Sequence, residues 1–187
     1  MTEKTTGAEQ QPADVLRFWR EAGPDRWFAS DPAFDAAIRS QFLATYVAAA
    51  SGSLHHWEAT AEGALALLIV LDQFSRNMFR NDARAFAADP LARAVADRAI
   101  THGFDLAFEP RERQFFYLPF EHCETLVNQE RGIALFRALG DNEMIKWAER
   151  HADVIRRFGR FPHRNAALGR TTTTQEQAFL DAGSFKP

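Results

Sequence analysis

The sequence predicts an all-helical protein. Apolar residues recur at spacings of three and four, helix start and stop signals come in repeated sets, and the alternating pattern of strands is nearly absent. The opening "MTEKTTGAEQQ" has only Met1 and Ala8 as apolar residues and lacks the apolar stretch of a signal peptide. It predicts a disordered tail over 1–12 and a cytoplasmic location. The first helix is expected over Ala13 to Arg20. In "SDPAFDAAIRSQFLATYVAAASG", Asp31 reads as N-cap, Pro32 as the first helical residue and Gly52 as the stop, with Phe34, Ile38, Phe42 and Val47 near one face. "EGALALLIVLDQFSRNMFR" is apolar on all sides before it turns polar, which predicts a central helix surrounded by others.

"ADPLARAVADRAITHG" repeats the Asp-Pro start with Asp89 and Pro90 and ends at Gly103. Further helices are expected from Pro110 to Leu118, from Pro119, which kinks or restarts the chain, to about Leu126, and over Asn128 to Leu139 and Glu143 to Arg157. The final helix opens at "TTTTQEQAFL", where Thr173 with Glu176, or Thr174 with Gln177, forms a capping box. Eight or nine helices on short loops leave no room for a sheet. At 187 residues, 46% hydrophobic and 25% charged, with no linker-like stretch, residues 13–187 are expected to form one compact domain.

Composition also limits function. The longest apolar run, Ala64 to Leu71, is far short of the roughly 20 residues that span a bilayer. Cys123 is the only cysteine, so neither an intrachain disulfide nor a cysteine-based zinc site is expected. A net charge of −3 argues against bulk binding to nucleic acid or anionic lipid.

Polar residues concentrate in three stretches. In "LDQFSRNMFR", Asp72, Arg76 and Arg80 fall on one helical stripe, so Asp72 can pair with Arg76, leaving Asn77 and Arg80 to reach something else. In "LPFEHCETL", Glu121, His122 and Glu124 crowd together, and a histidine between carboxylates suits acid–base work. The spacing does not suit a metal, since neither Glu-x-x-His nor His-Glu-x-x-His occurs. In "VIRRFGRFPHRNAALGR", a run that ends at Arg170 and has no acidic residue, Arg160, His163, Arg164 and Asn165 sit on an irregular segment, a setting that favours capture of carboxylate or phosphate. No phosphate-binding loop, dinucleotide fingerprint or nucleophile elbow is present, and Cys123 reads as a buried thiol.

"LDQFSRNMFR", "FFYLPFEHCE" with "NQE", "RFGRFPHRNAALGR" with "TTQEQAFL", and "VLRFWREAGPDRWFASDPAFDAAIR" together resemble the bacterial family called domain of unknown function 924 over about residues 13–182. Ser75 stands where that pattern usually has Pro, and Cys123 where it usually has Ser. The resemblance implies a fold similar to tetratricopeptide-repeat proteins, with helices packed as antiparallel pairs, and brings no reaction with it. The residues suggest a cleft lined by all three motifs that takes a small anionic ligand. His122, His163 and Glu124 are the catalytic candidates, and Asp72, Arg76, Asn77, Arg80, Glu121, Arg160, Arg164, Asn165 and Arg170 the binding ones. No cofactor is implied. The alternative is a protein-binding scaffold for an acidic peptide, its polar motifs forming a structural network.

Overall fold

The computed structural model describes residues 8–183, and among them all regular structure is helical. Residues 1–7 of the expected tail lie outside the described residues; of its remainder, the Gln10 N–H donates to the buried Thr45 hydroxyl at 2.9 Å. The chain packs as two compact units. One is drawn from residues up to Arg80 together with Arg84–Phe116, the other from Asn81–Ala83 together with Tyr117 onward.

The first unit holds α1 (Pro12–Ala22), α2 (Pro24–Trp27), α3 (Pro32–Ala50), α4 (Ala61–Leu68), α5 (Ser75–Met78) and α6 (Asp89–Thr101). Asp31 caps α3 by accepting from the N–H groups of Ala33 and Phe34, as its position before Pro32 predicts. Phe34, Ile38 and Phe42 are buried, but Val47 is 51% exposed. Five residues beyond Phe42, Val47 has rotated off the inner stripe, and Thr45, Tyr46 and Ala49 fill it instead. The central helix is buried all round, as its composition predicts, and has an unpredicted feature: Ile69–Phe74 is π-helical, joining α4 to α5 without a break. Gly63 in α4 lets the backbone approach closely, since a Cβ there would lie 2.0 Å from the Trp57 carbonyl oxygen. An aromatic cluster of Phe18, Trp19, Trp27, Phe34, Phe42, Phe74 and Phe115 fills the core, Trp19 and Trp27 stacking at 5.6 Å between centroids.

The start of α6 differs from the Asp-Pro expectation. Asp89 is already helical and Ala88 stands at the cap position, where it has no polar side chain to offer, while the Asp89 carboxylate accepts from Arg76. Farther along, Pro110–Glu121 forms a single helix, α7, that runs through Pro119. Only the last turn follows that proline, so just one ladder bond is lost, and the chain leaves the helix after Glu121 instead of restarting there.

The second unit contains α8 (Leu126–Leu139), α9 (Asn142–Phe158) and α10 (Thr174–Asp181), together with the end of α7. Gly140 and Asp141 alone connect α8 to α9, and the short link folds the two helices back into a pair. Gly159, at φ 69°, ends α9 in the left-handed conformation. Val154, Ile155 and Phe161 form an apolar cluster against which Phe158 and Phe179 pack.

Candidate functional site

In the first unit the polar motif is satisfied from within. Arg76 Nη1 lies 3.0 Å from Asp72 Oδ1 and donates to the Asp72 carbonyl at 2.6 Å, while both terminal nitrogens donate to Asp89 at 3.1 Å. Burial opposes the guanidinium charge, but Asp72 and Asp89 outweigh it and raise the Arg76 pKa. Asp72, 1% exposed, also accepts from Gln73 at 2.7 Å. Asn77 and Arg80 reach Asp35 on α3: Asn77 donates at 2.7 Å and Arg80 forms a two-pronged contact at 2.8 and 2.9 Å. One turn on, Arg39 donates to the Met78 carbonyl at the end of α5.

The second unit gathers the other two motifs. Glu121 occupies the end of α7, and His122–Thr125 leaves the helix before α8 begins. This bend is held by Gln129 on α8, whose amide donates to the carbonyls of Glu121 and Cys123 at 2.5 and 2.6 Å. With Gln129 at 1% exposure, Gln129→Ala should strand both carbonyls and cost about 1–3 kcal/mol in urea unfolding. A loss under about 0.5 kcal/mol would show that water replaces the amide.

Sequence reading missed His151, which faces this bend from the middle of α9. Its Nδ1 lies 2.9 Å from the Trp147 carbonyl and 3.1 Å from Glu121 Oε1, so Nδ1 carries the proton and donates to both. Burial first, and the neighbouring His122, His163 and Arg164 after it, push the His151 pKa down to about 3. Glu121 alone would favour the imidazolium. With both side chains about 5% exposed, lost hydration prevails, and the contact is a hydrogen bond from a neutral ring. The available sequence signal was position: Ala148, Ala152 and Ile155 share the buried stripe of α9 with it.

Phe161 lies at the centre of this group. Its fully buried ring is 5.7 Å from His151 and 5.5 Å from His163, the Arg164 guanidinium stacks over it at 4.6 Å, and His122 lies 6.3 Å from His151. The Phe161 N–H donates to Glu124, which also takes both terminal nitrogens of Arg170 at 2.9 and 2.8 Å. Partial burial works to raise the Glu124 carboxyl, but Arg170 and that N–H hold it below the usual range. Arg160 and Asn165 instead meet Glu176, the N3 residue of the capping box at Thr173; Arg160 contacts both carboxylate oxygens at 2.6 and 2.8 Å and Asn165 donates at 3.3 Å. Arg160, helped by the Thr173 N–H, lowers the Glu176 pKa to about 2.

Thus Glu121, His122, Glu124, His163, Arg164 and Arg170 form one neighbourhood with His151, Arg160 and Asn165 link to α10, and Asp72, Arg76, Asn77 and Arg80 belong to the network of the first unit. Among the described residues, no group of three or more His, Cys, Asp or Glu side chains is arranged to hold a metal, and no helix is long and apolar enough to cross a membrane.

Fold and site together define an all-helical protein with a partly buried histidine–carboxylate–arginine cluster in its second unit. The chain belongs to the family described as bacterial protein of unknown function (DUF924), whose model matches residues 15–184. It is similar to a solved structure described as a protein of unknown function, ATU0120, from Agrobacterium tumefaciens, at 47% identity, covering 92% of this chain and 97% of that one, with a TM-score of 0.89. No curated protein matches the chain.

Proposed function

We propose that the protein binds a small anionic ligand in its second unit, at the group formed by His122, Glu124, His163, Arg164 and Arg170. The observation that supports this is the assembly around Phe161 of cationic and titratable side chains from two stretches far apart in sequence. His122 and His163 are half-buried, whereas Arg164 is only 6% exposed, so the imidazoles meet the ligand and Arg164 supplies fixed charge beneath them. Glu124 holds Arg170 in place. Were a reaction carried out there, His122 or His163 would move the proton.

The first unit supports the alternative reading, a structural network, because Asp72, Arg76, Asn77 and Arg80 are engaged with one another, Asp35 and Asp89. Thermal unfolding of wild type, His122→Gln and His163→Gln with sulfate, phosphate, citrate or a short acidic peptide separates these readings. A ligand at about a hundred times its Kd should raise the wild-type Tm by roughly 5 °C or more, with the rise lost in both variants. No rise with any anion would sink the binding proposal, and a rise with the peptide alone would favour the scaffold.

A further inference from the structure

The last described helix is fastened by a carboxylate. In α10, Thr174, Gln175, Gln177, Ala178 and Asp181 are exposed and Phe179 and Leu180 half-buried, whereas Glu176 is 2% exposed. A surface helix is ordinarily seated by its apolar residues, and here the deepest residue is charged. Arg160 donates to both oxygens of that carboxylate at 2.6 and 2.8 Å, Asn165 donates to it at 3.3 Å, and the Thr173 N–H closes the capping box at 2.8 Å. The group that seats α10 is therefore also the group that starts it.

The approach to the helix hangs on the same two side chains. Arg160 donates to the Thr171 carbonyl at 2.8 Å, and Asn165 to the Thr172 hydroxyl at 3.3 Å. One residue earlier the anchorage changes: the Arg170 guanidinium is held by Glu124 at 2.9 and 2.8 Å, and its N–H donates to the Asn165 carbonyl at 2.8 Å. Beneath the helix, Phe179 meets Phe158 at 5.0 Å, and the Arg157 guanidinium lies over both rings. At eight residues α10 is shorter than the roughly 12–15 that a lone helix needs in water, so it loses its shape when it leaves its seat.

We propose that residues 171–181 are a strap that opens as one unit, hinged after Arg170, with Glu176 as its catch. Closed, Glu176 fills the fork of the Arg160 guanidinium. Open, the strap uncovers Arg160, Asn165 and the Phe158 ring at the end of α9, while α8 and α9 stay paired. The contact is autoinhibitory, since Arg160 is offered to an outside carboxylate in the open form. Neither His122 nor His163 takes part, so the strap stands apart from the anion-binding reading.

Amide hydrogen exchange of the full chain, followed by NMR, tests the strap. In wild type the Gln177 and Ala182 amides, both bonded within α10, should share one protection factor, at least about tenfold below those of Ala152 and Ile155 in α9. Glu176→Gln keeps an acceptor for the cap and removes the charge; it should speed exchange at both positions about tenfold more. Ala152, Ile155 and the Phe161 N–H, which is bonded to Glu124, should keep their rates. Should the variant fail to fold, wild type in sub-denaturing urea gives the answer: so small an opening exposes little surface, and the α10 rates should hold nearly constant until global unfolding overtakes them. Protection in α10 equal to that in α9, or a gradient from Gln177 down to Ala182 as in a fraying end, overturns the strap. No acceleration by Glu176→Gln, or equal acceleration in α9, overturns the catch, and acceleration at Phe161 overturns the hinge.

Discussion

Replacing Arg76 with Ala is expected to remove about 3–5 kcal/mol of folding stability. Asp72, 1% exposed, would lose the guanidinium 3.0 Å from its carboxylate, and Asp89 at the start of α6 would lose its two-pronged contact with Arg76. The loss arises from the stranded charges more than from the attraction itself, which predicts a specific contrast. Combining Arg76→Met with Asp72→Asn and Asp89→Asn should recover much of the stability, because the two carboxylates that Arg76 meets are neutralised along with it. Urea unfolding monitored by far-ultraviolet circular dichroism measures both changes. If Arg76→Ala costs less than about 1 kcal/mol, or if the triple variant is the less stable protein, the network does not hold α6 against the central helix as its geometry implies.

Acid should destabilise the protein well above the pH at which its carboxylates titrate, and His151 is the cause. In the unfolded chain this imidazole takes up a proton near 6.5, and in the folded protein it resists to about 3. Between those limits the unfolded state holds the extra proton, so stability is full above about pH 6.5 and falls as pH drops, by about 1.4 kcal/mol per unit. From pH 6.5 to pH 4.5 the expected loss is about 3 kcal/mol. Glu124 and Glu176, both depressed, act in a lower window: their stabilisation is present above the ordinary carboxylate range and is lost below it, down to about pH 2 for Glu176. His151→Asn keeps a donor where Nδ1 sits and cannot titrate, so it should flatten the upper slope. Equal urea midpoints for wild type at pH 6.5 and pH 4.5 would contradict a buried neutral ring.

Helices were legible because their signals are local. Asp31 before Pro32, Thr173 three residues before Glu176, and the unbroken apolar run from Ala64 to Leu71 each act within a turn or two, and each has the expected structural counterpart. The same local grammar failed where a distant residue intervened. Asp89 looks like a cap, but the cap position falls one residue earlier, at Ala88, and the Asp89 carboxylate meets Arg76, thirteen residues before it. The Asp72–Arg76 pair could be read from a spacing of four, whereas Asp35 as the partner of Asn77 and Arg80 could not, being more than forty residues away. His151 was passed over for a related reason: in "ERHADVIRR" it is one polar letter among many, and only the phase of the apolar stripe in α9 marks it as inward-facing.

The π-helical stretch Ile69–Phe74 amounts to one surplus residue wound into an otherwise continuous helix, and a surplus residue is a change of phase. Each residue of an α-helix turns the chain by about 100°. Leu65 and Leu68 on one side of the stretch, and Arg76 and Arg80 on the other, therefore point in directions that an uninterrupted α-helix of the same sequence would not give them. Take out one residue between Ile69 and Phe74, and both arginines swing away from Asp89 and Asp35 while every side chain keeps its identity. At this point the chain's length, as much as its chemistry, determines which carboxylate each arginine meets.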